Sequence, residues 1–178
     1  MPEIHLIHSY IGDEEIKTLV ESLNNNSTVK ELKLSGNQIG NKGAKALADF
    51  LRNNKTVVKI DLSCNQIGDE GVEELVKALQ SNNTLQELEL KHNQIGDEGA
   101  AALVKALQSN NTLQKLELKH NQISNKLLQD INELLKKHEL QAIEKLQAEK
   151  YNLELKVAYD HTEVPFLGDE DSSATLNM

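Results

Sequence analysis

Asn37, Asn65, Asn93 and Asn121 stand 28 residues apart, and most of the chain is in register with them. Aligned on these asparagines, the segments VKELKLSGNQIG from Val29, VVKIDLSCNQIG from Val57, LQELELKHNQIG from Leu85 and LQKLELKHNQIS from Leu113 share the pattern L-x-x-L-x-L-x-x-N-x-I. One period earlier, MPEIHLIHSYIG keeps Ile4, Leu6 and Ile11 but has Ser9 where asparagine is due. A unit of this size cannot bury an apolar face alone, so the five units, starting at 1, 29, 57, 85 and 113, must stack and share a core. With 3% aromatic residues and no Trp, that core has to be assembled from Leu, Ile, Val and Ala.

Each unit has two halves. In the first, apolar residues alternate with polar ones: Leu88 and Leu90 point inward, and Glu87, Glu89 and Lys91 point out, as in a half-buried strand. In the second, DEGVEELVKALQSNN from Asp69 places Val72, Leu75, Val76 and Leu79 on one helical stripe. Asp13, Asn41, Asp69 and Asp97 open these helices where an N-cap belongs, and Asn26, Asn54, Asn82 and Asn110 close them where asparagine tolerates a left-handed backbone. One short parallel strand and one helix per unit predict an α/β solenoid over residues 1 to 125.

On these motifs the chain resembles the ribonuclease-inhibitor-like leucine-rich repeats. The resemblance implies a right-handed α/β horseshoe, with a short parallel sheet on the concave face and helices on the convex face. It also implies that Asn37, Asn65, Asn93 and Asn121 form a ladder bonding buried backbone groups of the turn after each strand. Ser9 is too short for that reach, so the first layer is expected to be looser.

The pattern breaks at Ser124, where glycine is lost and a stretch without Gly or Pro runs on to Pro165. Leu127, Leu128, Ile131, Leu134 and Leu135 continue the apolar stripe, so residues 126 to 157 are expected to form a capping helix or helices. A second stripe, Ile143, Leu146, Leu153 and Val157, is expected to fold back over the last layer or to pair with another chain, a monomer being the main expectation. Residues 158 to 178 hold five acidic residues and no Lys or Arg, around a short island Val164, Pro165, Phe166, Leu167, and are read as a disordered tail.

Net charge is −9; taking the tail's five acids from the 28 leaves 23 acidic against 19 basic residues. That balance argues against nucleic acid or an anionic membrane as partner. One cysteine, Cys64, allows no internal disulfide, and the first residues lack a basic segment followed by an apolar run, so a cytoplasmic location is expected. Export into a host cell by a route that reads no such signal is the alternative.

The segment LKHNQIGDEG at 90 to 99 gathers a histidine, amides, two carboxylates and two glycines, yet GDEG also occurs at 68 to 71. An element copied into successive layers is structural, and the glycine spacing fits no phosphate-binding loop. No catalytic residue, metal or cofactor is implied. The column His8, Gly36, Cys64, His92, His120 sets potential metal ligands side by side, but their spacing is merely the repeat period.

The outward columns are better candidates. On the concave face they bring together Lys59, Asp61, Glu87, Glu89, Lys91, His92, Lys115, Glu117, Lys119 and His120, charges of both signs suited to a complementary protein surface. The leading expectation is a non-enzymatic scaffold binding a protein partner there, with a secreted bacterial effector gripping a host protein as the alternative. The stack closed by a terminal helix also resembles the C-terminal half of tropomodulin-type actin caps, and some activators of small GTPases share the repeat. Against the latter, the only arginine is Arg52, on a convex-side helix.

Overall fold

The computed structural model describes residues 2–160. Strands and helices alternate: β1 (Glu3–His5), α1 (Asp13–Ser22), β2 (Glu31–Lys33), α2 (Asn41–Asn53), β3 (Lys59–Asp61), α3 (Asp69–Leu79), β4 (Glu87–Glu89), α4 (Asp97–Leu107), β5 (Lys115–Glu117) and α5 (Asn125–Asp160). The five strands form one parallel sheet in the order β1-β2-β3-β4-β5. Ile4 pairs with Leu32, Leu32 with Ile60, Ile60 with Leu88 and Leu88 with Leu116, so every step is one repeat of 28. The fold is an α/β leucine-rich repeat solenoid. Its core lies between sheet and helices, where Leu32, Leu34, Ile60, Leu62, Leu88 and Leu90 of the strand segments meet Leu47, Leu75 and Leu103 of the helices, all essentially inaccessible.

The chain divides into two compact units, Met1–Gln141 and the part from Ala142 onward. In the first, the start of α5 continues the apolar stripe: Ile131 and Leu135 are buried, and Leu127, Leu128 and Leu134 pack against the core. α5 is unbroken after His138, where the sequence left room for a break, and in the second unit Leu146, Tyr151, Leu153 and Leu155 are exposed. The acidic tail from residue 161, with its apolar island, lies outside the described residues, as does the side chain of Val157. Among the described residues no helix is long and apolar enough to cross a membrane.

Two local expectations need correction. The N-caps are Gly12, Gly40, Gly68 and Gly96, none with a side chain to offer, and the acidic or amide residue that follows caps the next layer instead of its own. Asp13 Oδ1 accepts the amides of Gly40 and Gly43, both at 2.8 Å, and Asp69 Oδ1 those of Gly96 at 2.7 Å and Gly99 at 3.0 Å. Asn41 serves Gly68, and Asp97 serves Ser124. Gly12, in layer 1, takes its acceptor from Glu15 within its own helix.

The second correction concerns Asn26, Asn54, Asn82 and Asn110. None has a left-handed backbone. Each folds its Oδ1 onto the amides two and three residues ahead, as Asn82 does to Thr84 at 3.0 Å and Leu85 at 2.8 Å. Asn82 and Asn110 also donate Nδ2 to the previous layer, at the carbonyls of Leu51 and Leu79. They are thus a second ladder between layers, because a helix end packed against a neighbouring helix end leaves carbonyls that water cannot reach.

Candidate interaction surface

The first asparagine ladder is formed as the resemblance implied, and its rungs tie two layers each. Asn65 Oδ1 accepts the Ile39 amide of the preceding layer at 3.0 Å, and its Nδ2 donates to the carbonyls of Leu34, Leu62 and Ser63. Asn37, Asn93 and Asn121 do the same for their own predecessors. Ser9 therefore needs no long side chain: the amides of its turn, Ser9 and Ile11, are both met by Asn37 at 3.0 Å. Ile4, Leu6 and Ile11 of layer 1 pack against the core but stay half-buried.

The ladder ends each strand in a sharp turn whose first residue lies in the left-handed region. His8, Gly36, Cys64, His92 and His120 have φ values of 51°, 71°, 55°, 53° and 61°. Four of the five are not glycine, a conformation that disfavours L side chains. At Gly36 there is a further reason for glycine, because a Cβ there would meet the His8 ring at 2.2 Å. The imidazoles of His92 and His120 stack at 4.1 Å, nearly parallel. Among the described residues no three His, Cys, Asp or Glu side chains converge as a metal ion would require, and Cys64 is an exposed free thiol.

The ten surface candidates do lie together on the solvent face of the sheet, but they are not equivalent. Lys59 sits amid Glu31, Glu87 and Glu89 at 3.4, 3.5 and 3.6 Å. Lys91 reaches Glu89 at 2.9 Å, and Lys115 lies near Glu87 and Glu89. Asp61 accepts the amide of Ser63. Glu117 and Lys119 have no ion pair among the described residues, so they and the two stacked histidines are the groups still free to meet a partner. Beyond the sequence candidates, the edge adds Glu3, which takes Lys33 and His5 at 2.7 Å; the hydrogen bond from Lys33, then that from His5, draws its carboxyl down to about 2.

The same contacts tune the central charges. Burial alone would raise the Glu89 carboxyl, but the hydrogen bond and charge of Lys91, with Lys115 and Lys59, outweigh it and hold the group below the usual range. Burial likewise opposes the Lys59 ammonium, and Glu31, Glu87 and Glu89 overcome it and push Lys59 up. A carboxyl lowered on folding contributes stability above its unfolded value near 4.3, and that contribution disappears as pH falls through the folded value. Glu89→Gln is therefore expected to lower stability at pH 7 by about 1 kcal/mol, with urea midpoints of variant and parent drawing together as pH falls below the ordinary carboxylate range.

The family described as TMOD/LMOD Leucine-rich domain matches residues 7–96, and a Leucine Rich repeat family matches residues 109–126. No match was found among curated proteins. Among solved structures, one titled Leiomodin-1 Actin-Binding Site 2 (ABS2) is 28% identical, superposes with a TM-score of 0.76, and is covered over 85% of this chain and 89% of that one. The tropomodulin C-terminal domain of Caenorhabditis elegans, 14% identical with a TM-score of 0.71 over 85% of this chain and 90% of that one, shares the fold. The 28-residue registers, the ladders and the family match over residues 7–96, from the first layer through the strand of the fourth, lead to one conclusion: this chain belongs to the TMOD/LMOD leucine-rich domain family.

Proposed function

We propose that this chain is a non-enzymatic protein-interaction domain whose partner is actin. The observation that carries this reading is its likeness, over nearly the whole described chain, to a leiomodin domain named for actin binding. Of the readings open to the sequence, the tropomodulin-like one gains by this comparison. The exported-effector and GTPase-regulator readings gain nothing, and a cytoplasmic location goes with actin as partner. The repeat subclass we read as ribonuclease-inhibitor-like, on the 28-residue offset between paired strands.

A stack cross-bonded between its layers presents a surface that loses little conformational freedom on docking, which favours a rigid protein partner. On the sheet face, the ion-paired residues Lys59, Glu87, Glu89, Lys91 and Lys115 are held by one another. Contact is expected to centre on Lys119, Glu117, His92 and His120. In co-sedimentation with filamentous actin and titration against monomeric actin, the parent chain is expected to bind. The double variant Glu117→Lys, Lys119→Glu is expected to bind at least tenfold more weakly. Unchanged affinity of the variant would remove the sheet face from the interface, whereas a parent chain that binds neither form of actin would sink the actin reading itself.

A further inference from the structure

His138 follows Asn110 by one repeat and so occupies, in the cap, the position that Asn82 and Asn110 hold in the layers before it. The residue is 4% exposed. Nε2 lies 3.0 Å from the Leu107 carbonyl oxygen and Nδ1 lies 3.0 Å from the Leu113 carbonyl oxygen. The Nε2 contact spans 31 residues, like those of Asn82 to Leu51 and Asn110 to Leu79. A carbonyl oxygen only accepts, and a neutral imidazole carries one N–H and one bare nitrogen. A neutral ring here would satisfy one carbonyl and turn a lone pair on the other. Asparagine escapes the difficulty, because the amide of Asn110 has two hydrogens and shares them between Leu79 and Asn82.

We propose that His138 is held as the imidazolium in the folded protein, donating from both nitrogens, and that it is a pH-sensitive latch fastening the start of α5 to the last repeat. Leu107 is the final residue of α4, so its carbonyl belongs to the helix end whose partial negative charge favours a cation. The polar cavity beside the ring is lined by Gln108, Ser109 and Asn111 from the α4 side and by Lys137 and Gln141 from α5. Lys137 is the charged group in that lining other than His138 itself. Lys105 lies in the last turn of α4, Lys115 begins β5 two residues after Leu113, and Glu139 is the exposed neighbour on α5. The nearby lysines act against a second positive charge, and no carboxylate lines the cavity, so the two carbonyls and the helix end hold the proton.

The sign follows from the bound proton. A folded state that keeps a proton which the unfolded imidazole releases near pH 6.5 has that stability in full below this value and loses it as pH climbs above. Nitrogen-15 NMR of the full chain at pH 7.5 is expected to show protons on both ring nitrogens of His138. A single neutral tautomer there would overturn the latch. Independently, the folded-to-unfolded ratio is compared between pH 5.5 and pH 8.5 in the parent and in His138→Gln, whose amide supplies two hydrogens at any pH. Over that range the ratio of the parent is expected to fall at least about tenfold further than that of the variant. The other histidines are common to both chains and cancel. Equal pH dependence of the two would also overturn the proposal, and if His138→Gln does not fold, the spectrum of the parent decides.

Discussion

Asn65→Ala is expected to destabilise the protein by about 3 to 4 kcal/mol, seen as a large fall in the urea midpoint. Asn65 sits in the middle of the stack and is 7% exposed. Its loss leaves the buried Ile39 amide without an acceptor and takes one donor each from the carbonyls of Leu34, Leu62 and Ser63. The carbonyls of Leu34 and Leu62 keep a second partner in Asn37 and Asn93, so the orphaned amide dominates, at about 1 to 3 kcal/mol, with lost bonds and a small void making up the rest. Because a solenoid is held together layer by layer, a defect between the second and third layers is also expected to reduce the steepness of the transition, as the two ends begin to unfold separately. Gln66→Ala, at an exposed position beside it, is expected to change the midpoint little. A comparable loss at both sites would mean that the ladder carries no special share of stability.

Gly43→Val is expected to lower stability by about 3 kcal/mol, measured the same way. Glycine in the first turn of a helix normally weakens it by about 1 kcal/mol relative to alanine, so a local view predicts that any side chain would help. The neighbouring layer reverses the sign. A Cβ at position 43 would stand 2.6 Å from Asp13 Oδ1, 2.7 Å from Ile39 Cγ2 and 2.8 Å from Ile16 Cγ2. The two isoleucines are fully buried and have no room to retreat. The carboxylate is the cap of α2, so displacing it unpairs the amides of Gly40 and Gly43 together. Gly71 and Gly99 occupy the same place in later layers and face Asn41 and Asp69 at similarly short range. A Gly43→Val chain as stable as the parent would show that α1 and α2 can separate without loss.

Much of this protein was written along the chain. Alternation in ELEL and LELK, the helical stripe after each glycine and the recurrence every 28 residues determined five parallel strands, the four helices between them and which residues face the core, because inward and outward positions follow from local backbone geometry. The asparagines of the first ladder and the surface columns were legible for the same reason: a fixed period turns a sequence column into a spatial one.

What the period could not reveal is the layer in which a side chain finds its partner. Asp69 looks like the cap of its own helix and serves the next one, while Asn82 looks like a helix terminator and ties its loop to the previous one. Along the chain those readings are equally natural, since the true partners lie 27 to 31 residues away, where only the stacking direction decides. The left-handed column at His92 and His120, the mutual pairing that occupies five of the ten surface candidates, and the placement of His138 against two carbonyls are of the same kind. Local chemistry determined what each residue can bond to. The packing of one repeat on another decided which bond it makes, because buried backbone groups take whatever donor or acceptor the neighbouring layer brings within reach.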